Sequence, residues 1–116
     1  MATETEEIEI ERGTGNVFAD LGLPDADELL AKSKLIRAIS AAIKERKVTQ
    51  TELAKLTGIS QSKISQLLNG KVSGFSSDRL MHILTKLDQD VVIIVTPRPS
   101  SEHRPAHVSV SRSHAL

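Results

Sequence analysis

Between residues 48 and 69 apolar side chains recur at helical spacing on both sides of one break, Gly58. Leu53 with small Ala54 precedes the break, and Ile59, Ile64 and Leu67 follow it. The pattern predicts two short helices joined by a tight turn. Gly58 follows Leu56 and Thr57 where the first helix must stop, and glycine enters the left-handed conformation there without a Cβ penalty. Thr49 fits as the first N-cap, with Glu52 three positions on completing a capping box and Val48 stapling onto Leu53. Ser60 fits as the second N-cap, with Ile59 stapling onto Ile64. Two such helices cross at roughly 90–120° in a helix-turn-helix.

The same spacing predicts the remaining elements. Asn16 can cap a short turn over 17–21 that Gly22 closes. Pro24 suits the first turn of a long helix reaching about Arg46, with Asp25, Asp27 and Glu28 favourable at its positive end. Its stripe of Leu29, Ile36, Ile39 and Ile43, flanked by Leu35 and Ala42, should face the core. After a loop over 71–74, a last helix from about Ser77 to Leu87 is capped by Ser76 and stapled by Phe75 onto Leu80. Leu80, Ile83, Leu84 and Leu87 would close the bundle. The expected fold class is all-α, a bundle of about five helices.

Val91, Val92, Ile93, Ile94 and Val95 break the helical pattern, because five β-branched residues in a row favour a strand. The chain holds no second strong strand to pair with it. A lone strand leaves its N–H and C=O groups open, and antiparallel pairing with the same strand of a second copy would satisfy both. Burying ~500 Å² of apolar surface this way is worth on the order of 10 kcal/mol before association costs. A C-terminal strand pairing across a homodimer is therefore expected. The alternative, a strand folded onto its own bundle, leaves the edge unsolved.

The second helix of the unit suggests what it is for. With Ile64, Leu67 and Leu68 buried, the opposite face carries Ser62, Ser65, Gln66 and Asn69, and Gln61 projects from the leading end. No acid lies on this face. Glutamine pairs bidentately with adenine and serine serves any base, so the face suits base edges in a major groove. The helix N-terminus offers free N–H groups and a positive dipole end to phosphate. A plain solvated face is the competing reading, which the turn geometry alongside disfavours.

Read from Gln50 to Gly70, the pattern Q-x-x-L-A-x-x-x-G-I-S-Q-S-x-I-S-x-x-x-N-G resembles the helix-turn-helix of lambda repressor/Cro-like (XRE) regulators. The resemblance implies a lambda-repressor-like bundle and assigns roles by position. Gln61, Ser62, Ser65 and Gln66 would read bases in double-stranded DNA. Gln50 would hold a phosphate as it opens the first helix, Ser60 from the start of the reading helix, and Lys63 from its flank. Asn69 and Lys71 would clamp the backbone beyond it. Thr57 departs from the family, where many members carry an aliphatic residue, and should weaken the core slightly.

Composition adds exclusions. The chain has 116 residues, which fits one small domain with tails, and its aromatic content of 2% with no Trp or Tyr leaves an aliphatic core. There is no cysteine, which rules out disulfides, thiolate metal sites and cysteine nucleophiles and suits a reducing cytosol. No apolar run nears the ~20 residues of a membrane span. The N-terminus MATETEEIEIE is acidic where a signal peptide is basic, so a cytoplasmic location is expected. No glycine-rich phosphate loop or paired His and acid suggests catalysis, so no enzyme and no cofactor is expected. His82 reads as a surface residue, and His103, His107 and His114 lack the acid or thiol company of a metal site.

The formal net charge of zero conceals a division. Residues 1–28 hold nine acids against one base, a net of −8, whereas residues 29–87 hold eleven bases against three acids, a net of +8. The helical body alone looks like a nucleic-acid binder. Residues 1–15 are expected as an acidic arm, flexible until bound, residues 16–96 as the DNA-binding domain, and residues 97–116, rich in Ser, Arg, His and Pro, as a disordered tail.

The stretch NVFADLGLPDADELLAKSKLIRAI, followed by the reading unit and VVIIV, resembles HigA-type antitoxins and their stand-alone XRE relatives. That resemblance implies a repressor that also neutralises a basic ribonuclease toxin of the HigB/RelE class. The acidic arm could engage such a toxin, with Phe18, Leu21 and Leu23 as apolar anchors. Phe18 and Leu21 capping the bundle core is an equal alternative. The rival functions are a stand-alone or phage-type repressor without a toxin, and a protein-interaction bundle.

Overall fold

Residues 26–113 are described by the structure, a computed structural model. The acidic arm, the short turn over 17–21 and the anchors Phe18, Leu21 and Leu23 lie outside them. Four α-helices follow among the described residues: α1 (Ala26–Arg46), α2 (Gln50–Thr57), α3 (Gln61–Leu68) and α4 (Ser77–Lys86), with a 3₁₀ turn, Val72–Gly74, before the last.

The long helix α1 packs chiefly against α4, and α2 against α3. Ile39, Leu53, Ile64, Leu67, Leu80, Ile83 and Leu87 are fully enclosed, so every helix contributes to one core. The buried stripe of α1 runs through Ala31, Leu35, Ile36, Ile39 and Ala42, whereas Leu29 and Ile43 are only half-buried. Leu35, Ile36, Ile39 and Ala42 meet the common core, with Ile43 at its edge, whereas Ala31 is buried outside that cluster.

Helix ends follow the sequence closely. Ser76 Oγ accepts from the Arg79 N–H at 3.2 Å, and Phe75 is buried against the core as a staple requires. The end of α1 carries no glycine. Lys47 takes the left-handed conformation (φ 55°), and the Val48 N–H reaches back to the Ile43 carbonyl at 3.1 Å. Asp88 (φ 60°) does the same beyond α4, with the Gln89 N–H on the Leu84 carbonyl at 3.0 Å. Both closures are Schellman motifs.

No strand forms among the described residues, and residues 91–95 run irregularly. The reason is the one that made them conspicuous: a strand exists only with a neighbour, and no described segment of the chain supplies one. Val91 packs against the core, but Val92, Ile93, Ile94 and Val95 are 59%, 73%, 60% and 90% exposed. Residues 97–113 contain no helix or strand either. Near the end of that segment Val110 packs against the core and Arg112 Nη2 donates to Glu45 Oε1 at 2.7 Å.

Candidate nucleic-acid interface

The turn that presents α3 is fixed from both sides. Thr49 Oγ1 accepts from the Glu52 N–H at 3.0 Å while the Thr49 N–H donates to Glu52 Oε1 at 2.8 Å, a complete capping box. That N–H and the Thr49 hydroxyl hold the Glu52 carboxyl below its ordinary value. Gly58 closes α2 at φ 75°, its N–H on the Ala54 carbonyl at 2.8 Å. Thr57 secures the same turn, its hydroxyl donating to the Leu53 carbonyl at 2.8 Å and accepting from the Ile59 N–H at 3.2 Å. The departure at this position therefore replaces apolar contact with two hydrogen bonds. A threonine in the last helical turn can place its hydroxyl on the carbonyl four residues back, as Thr57 does on Leu53.

Ser60 Oγ accepts from the Lys63 N–H at 3.2 Å and caps α3. A hydroxyl in that role still has its proton to donate outward. Ile64 and Leu67 are fully enclosed, which fixes the rotation of α3 about its axis. At 100° per residue, Gln61, Ser62, Ser65, Gln66 and Asn69 then fall within an arc of about 140° on the other side. Gln61, Ser62, Gln66 and Asn69 are exposed and Ser65 is half-buried. Lys63 is exposed on the flank.

Past α3 the chain turns sharply through Gly70 (φ 92°), and the Lys71 N–H bonds the Gln66 carbonyl at 3.1 Å. Asn69 and Lys71 both stay exposed beside the end of α3. Gln50 is exposed at the first position of α2. From Gln61 to Lys71 the sequence holds two lysines and no acid, so the face is neutral to positive throughout. The structure thus brings Gln61, Ser62, Ser65 and Gln66 onto one surface, with Ser60 and Lys63 at its leading end and Asn69 and Lys71 at its trailing end.

Other chemistry is sparse. Among the described residues no group of His, Cys, Asp and Glu stands close enough to hold a metal ion. A shallow open depression lies between the turn and α4, lined by Thr57, Gly58, Ile59, Asp78, Arg79 and His82. Arg79 is committed there to the Phe75 ring, 5.1 Å from its centroid. No described helix is long and apolar enough to cross a membrane.

Two capped helices about a glycine turn, the second turning an acid-free polar face outward, define a helix-turn-helix unit. Residues 17–96 match the family model described as a helix-turn-helix domain. The chain is also similar, at 41% identity and a TM-score of 0.71, to a solved structure named as an XRE family transcriptional regulator. That match covers 78% of this chain and 100% of the other. No curated protein gives a match. The chain belongs to the XRE family of helix-turn-helix regulators.

Proposed function

We propose that this protein is a sequence-specific DNA-binding transcriptional repressor that acts as a homodimer on an inverted-repeat operator. The observation that carries the reading is the α3 face: with Ile64 and Leu67 buried, Gln61, Ser62 and Gln66 are exposed on the opposite side and half-buried Ser65 lies among them. These four read base edges. Gln50, Ser60, Lys63, Asn69 and Lys71 hold phosphates around them. Residues 91–95, apolar and exposed from Val92 onward, pair with their counterparts in a second copy, and the two reading helices enter successive major grooves roughly 34 Å apart. Promoter occlusion follows from occupancy.

The test is a fluorescence-anisotropy titration against duplexes from the protein's own upstream region and scrambled controls, at several salt concentrations. Affinity should fall steeply with salt for every duplex. Gln61→Ala should cost roughly 1–3 kcal/mol on the cognate duplex and relax preference at one base position. Equal losses on cognate and scrambled duplexes would remove Gln61 from the base-reading set.

The charge division supports a finer reading, in which the protein is the antitoxin of a type II toxin-antitoxin pair that represses its own operon. A net of −8 over residues 1–28 complements a basic ribonuclease of the HigB/RelE class, with Phe18, Leu21 and Leu23 supplying apolar contacts. These three fall inside the matched family region, so the arm and the domain must be separated. Pull-down of the neighbouring gene product by chains lacking residues 1–15 or 1–23 does this. Undiminished capture by both would refute the arm's role. Absence of a toxin-sized neighbouring gene would favour a stand-alone or phage-type repressor.

A further inference from the structure

Both ends of the segment that follows α4 are fastened at the last turn of α1. Asp88 Oδ2 meets Arg46 Nη2 at 2.7 Å just before the apolar run begins, and Arg112 Nη2 meets the neighbouring Glu45 at 2.7 Å where the described chain ends. Val91 and Val110 both pack against the core immediately inside those pairs. Residues 92–109 therefore leave the body and return to the same place, forming an arm with two limbs. Pro97, Pro99 and Pro105 punctuate the connection, and the Glu102 N–H closes a turn on the Pro99 carbonyl at 3.2 Å.

The limbs share a pattern. The outgoing limb exposes Val92, Ile93, Ile94 and Val95. The returning limb, AHVSV over 106–110, alternates apolar and polar residues with period two and exposes 68% of Val108. Neither limb makes a backbone hydrogen bond among the described residues, although both spring from one anchor. Two open backbones and one exposed apolar surface, held by anchors that do not depend on them, are what a partner backbone would complete.

We propose that the returning limb, residues 106–110, is a second dimer-building strand, so that the occupant of the arm is the arm of another copy of this chain. The inference rests on the dimer proposed above. Pairing 91–95 across a two-fold axis leaves the outer edge of each strand open, and a two-stranded ribbon is marginal in water. The four exposed residues of the outgoing limb offer about 500 Å² per copy, short of the roughly 800 Å² per partner of a standard stable interface. Laying each returning limb along an outer edge makes a four-stranded sheet, buries Val108, 68% of which is otherwise exposed, and adds to that area.

Sedimentation equilibrium on three chains tests this: the full chain, a chain ending at Pro97, and Val108→Asp, each with helix content followed by circular dichroism. The full chain should be a dimer. Truncation and Val108→Asp should each raise the dimer dissociation constant at least about tenfold with helix content unchanged. Val108→Asp keeps Val110 and Arg112 in place, so it remains informative if truncation lowers the helix content. Two variants as dimeric as the full chain would overturn the role of the second limb and leave the 91–95 pairing intact. A full chain that stays monomeric at about 100 μM would overturn the dimer and the second limb together.

Discussion

Gly58→Ala isolates the backbone contribution of the turn that presents α3. Gly58 sits at φ 75°, and a Cβ built there meets nothing within 4 Å. Steric collision is therefore absent, and the cost is conformational. Placing an L-residue in the left-handed region costs roughly 1–2 kcal/mol, and stiffening the unfolded chain returns about 0.4–1 kcal/mol. The net loss should be near 1 kcal/mol, which lowers Tm by about 4–8 °C for a domain of this size. Gly58→Asn should lose less, because asparagine visits this region more readily. Lys47 supplies the converse: it holds φ 55° without being glycine, so Lys47→Gly should stabilise by a few tenths to about 1 kcal/mol. Urea unfolding followed at 222 nm, at one fixed protein concentration, gives all three values. A Gly58→Ala chain as stable as the parent would refute the left-handed turn. Losses well above about 2 kcal/mol and equal for Ala and Asn would mean a collision that the open surroundings contradict.

Thr57→Val should destabilise by about 0.5–1.5 kcal/mol in the same assay despite adding an apolar group, because it strips the Ile59 N–H of its acceptor. A stabilised variant would mean that apolar packing outweighs both hydroxyl bonds. Glu52 gives a pH signature. Its carboxyl is held below the ordinary 4.5 first by the Thr49 N–H, so its stabilisation is present above that value and is lost as pH falls through the lowered folded-state value. Glu52→Gln keeps an acceptor for that N–H without the charge. The urea midpoint, followed from about pH 6 to about pH 3, should fall less steeply for Glu52→Gln than for the parent. Parallel curves would show that the capping carboxylate contributes nothing pH-dependent.

What could be read from the sequence was whatever is enforced locally. Thr49, Ser60 and Ser76 cap as expected because a hydroxyl at an N-cap has an open N–H two or three residues ahead whatever the tertiary context. Gly58 was legible for the same reason. The stripe of α1 was less so, since which of Leu29 and Ala31 is covered depends on tertiary neighbours, which periodicity does not contain. Thr57 looked like a packing defect because its two hydrogen bonds appear only once the turn is formed. Composition pointed to a disordered tail over 97–116; the described part, 97–113, contains no helix or strand yet is tied to the body near its end. That tie, from Arg112 to Glu45, spans 67 residues of sequence, which composition does not contain. The face of α3 was readable because two enclosed residues, Ile64 and Leu67, determine which way it turns.

That face has little stability of its own, since an isolated eight-residue helix is marginal in water. Its position comes from the core, and in the dimer proposed above the distance between two such faces would follow from the arm. The arm leaves the body just after the Arg46–Asp88 pair, whose side chains meet at 2.7 Å. Asp88→Asn tests this coupling with opposed signs. Asparagine also accepts the left-handed backbone of Asp88 (φ 60°), so the Schellman closure survives. The ion pair is exposed, with side chains 45% and 71% accessible, so its loss should cost less than about 1 kcal/mol of stability. Removing an acid from the DNA-binding body would by charge alone strengthen DNA binding. If the pair sets the direction of the arm, affinity for an inverted repeat should fall severalfold while affinity for a single half-site rises or holds. Tighter binding to both would show that the pair is only another surface charge, and that the spacing of the reading helices is set elsewhere.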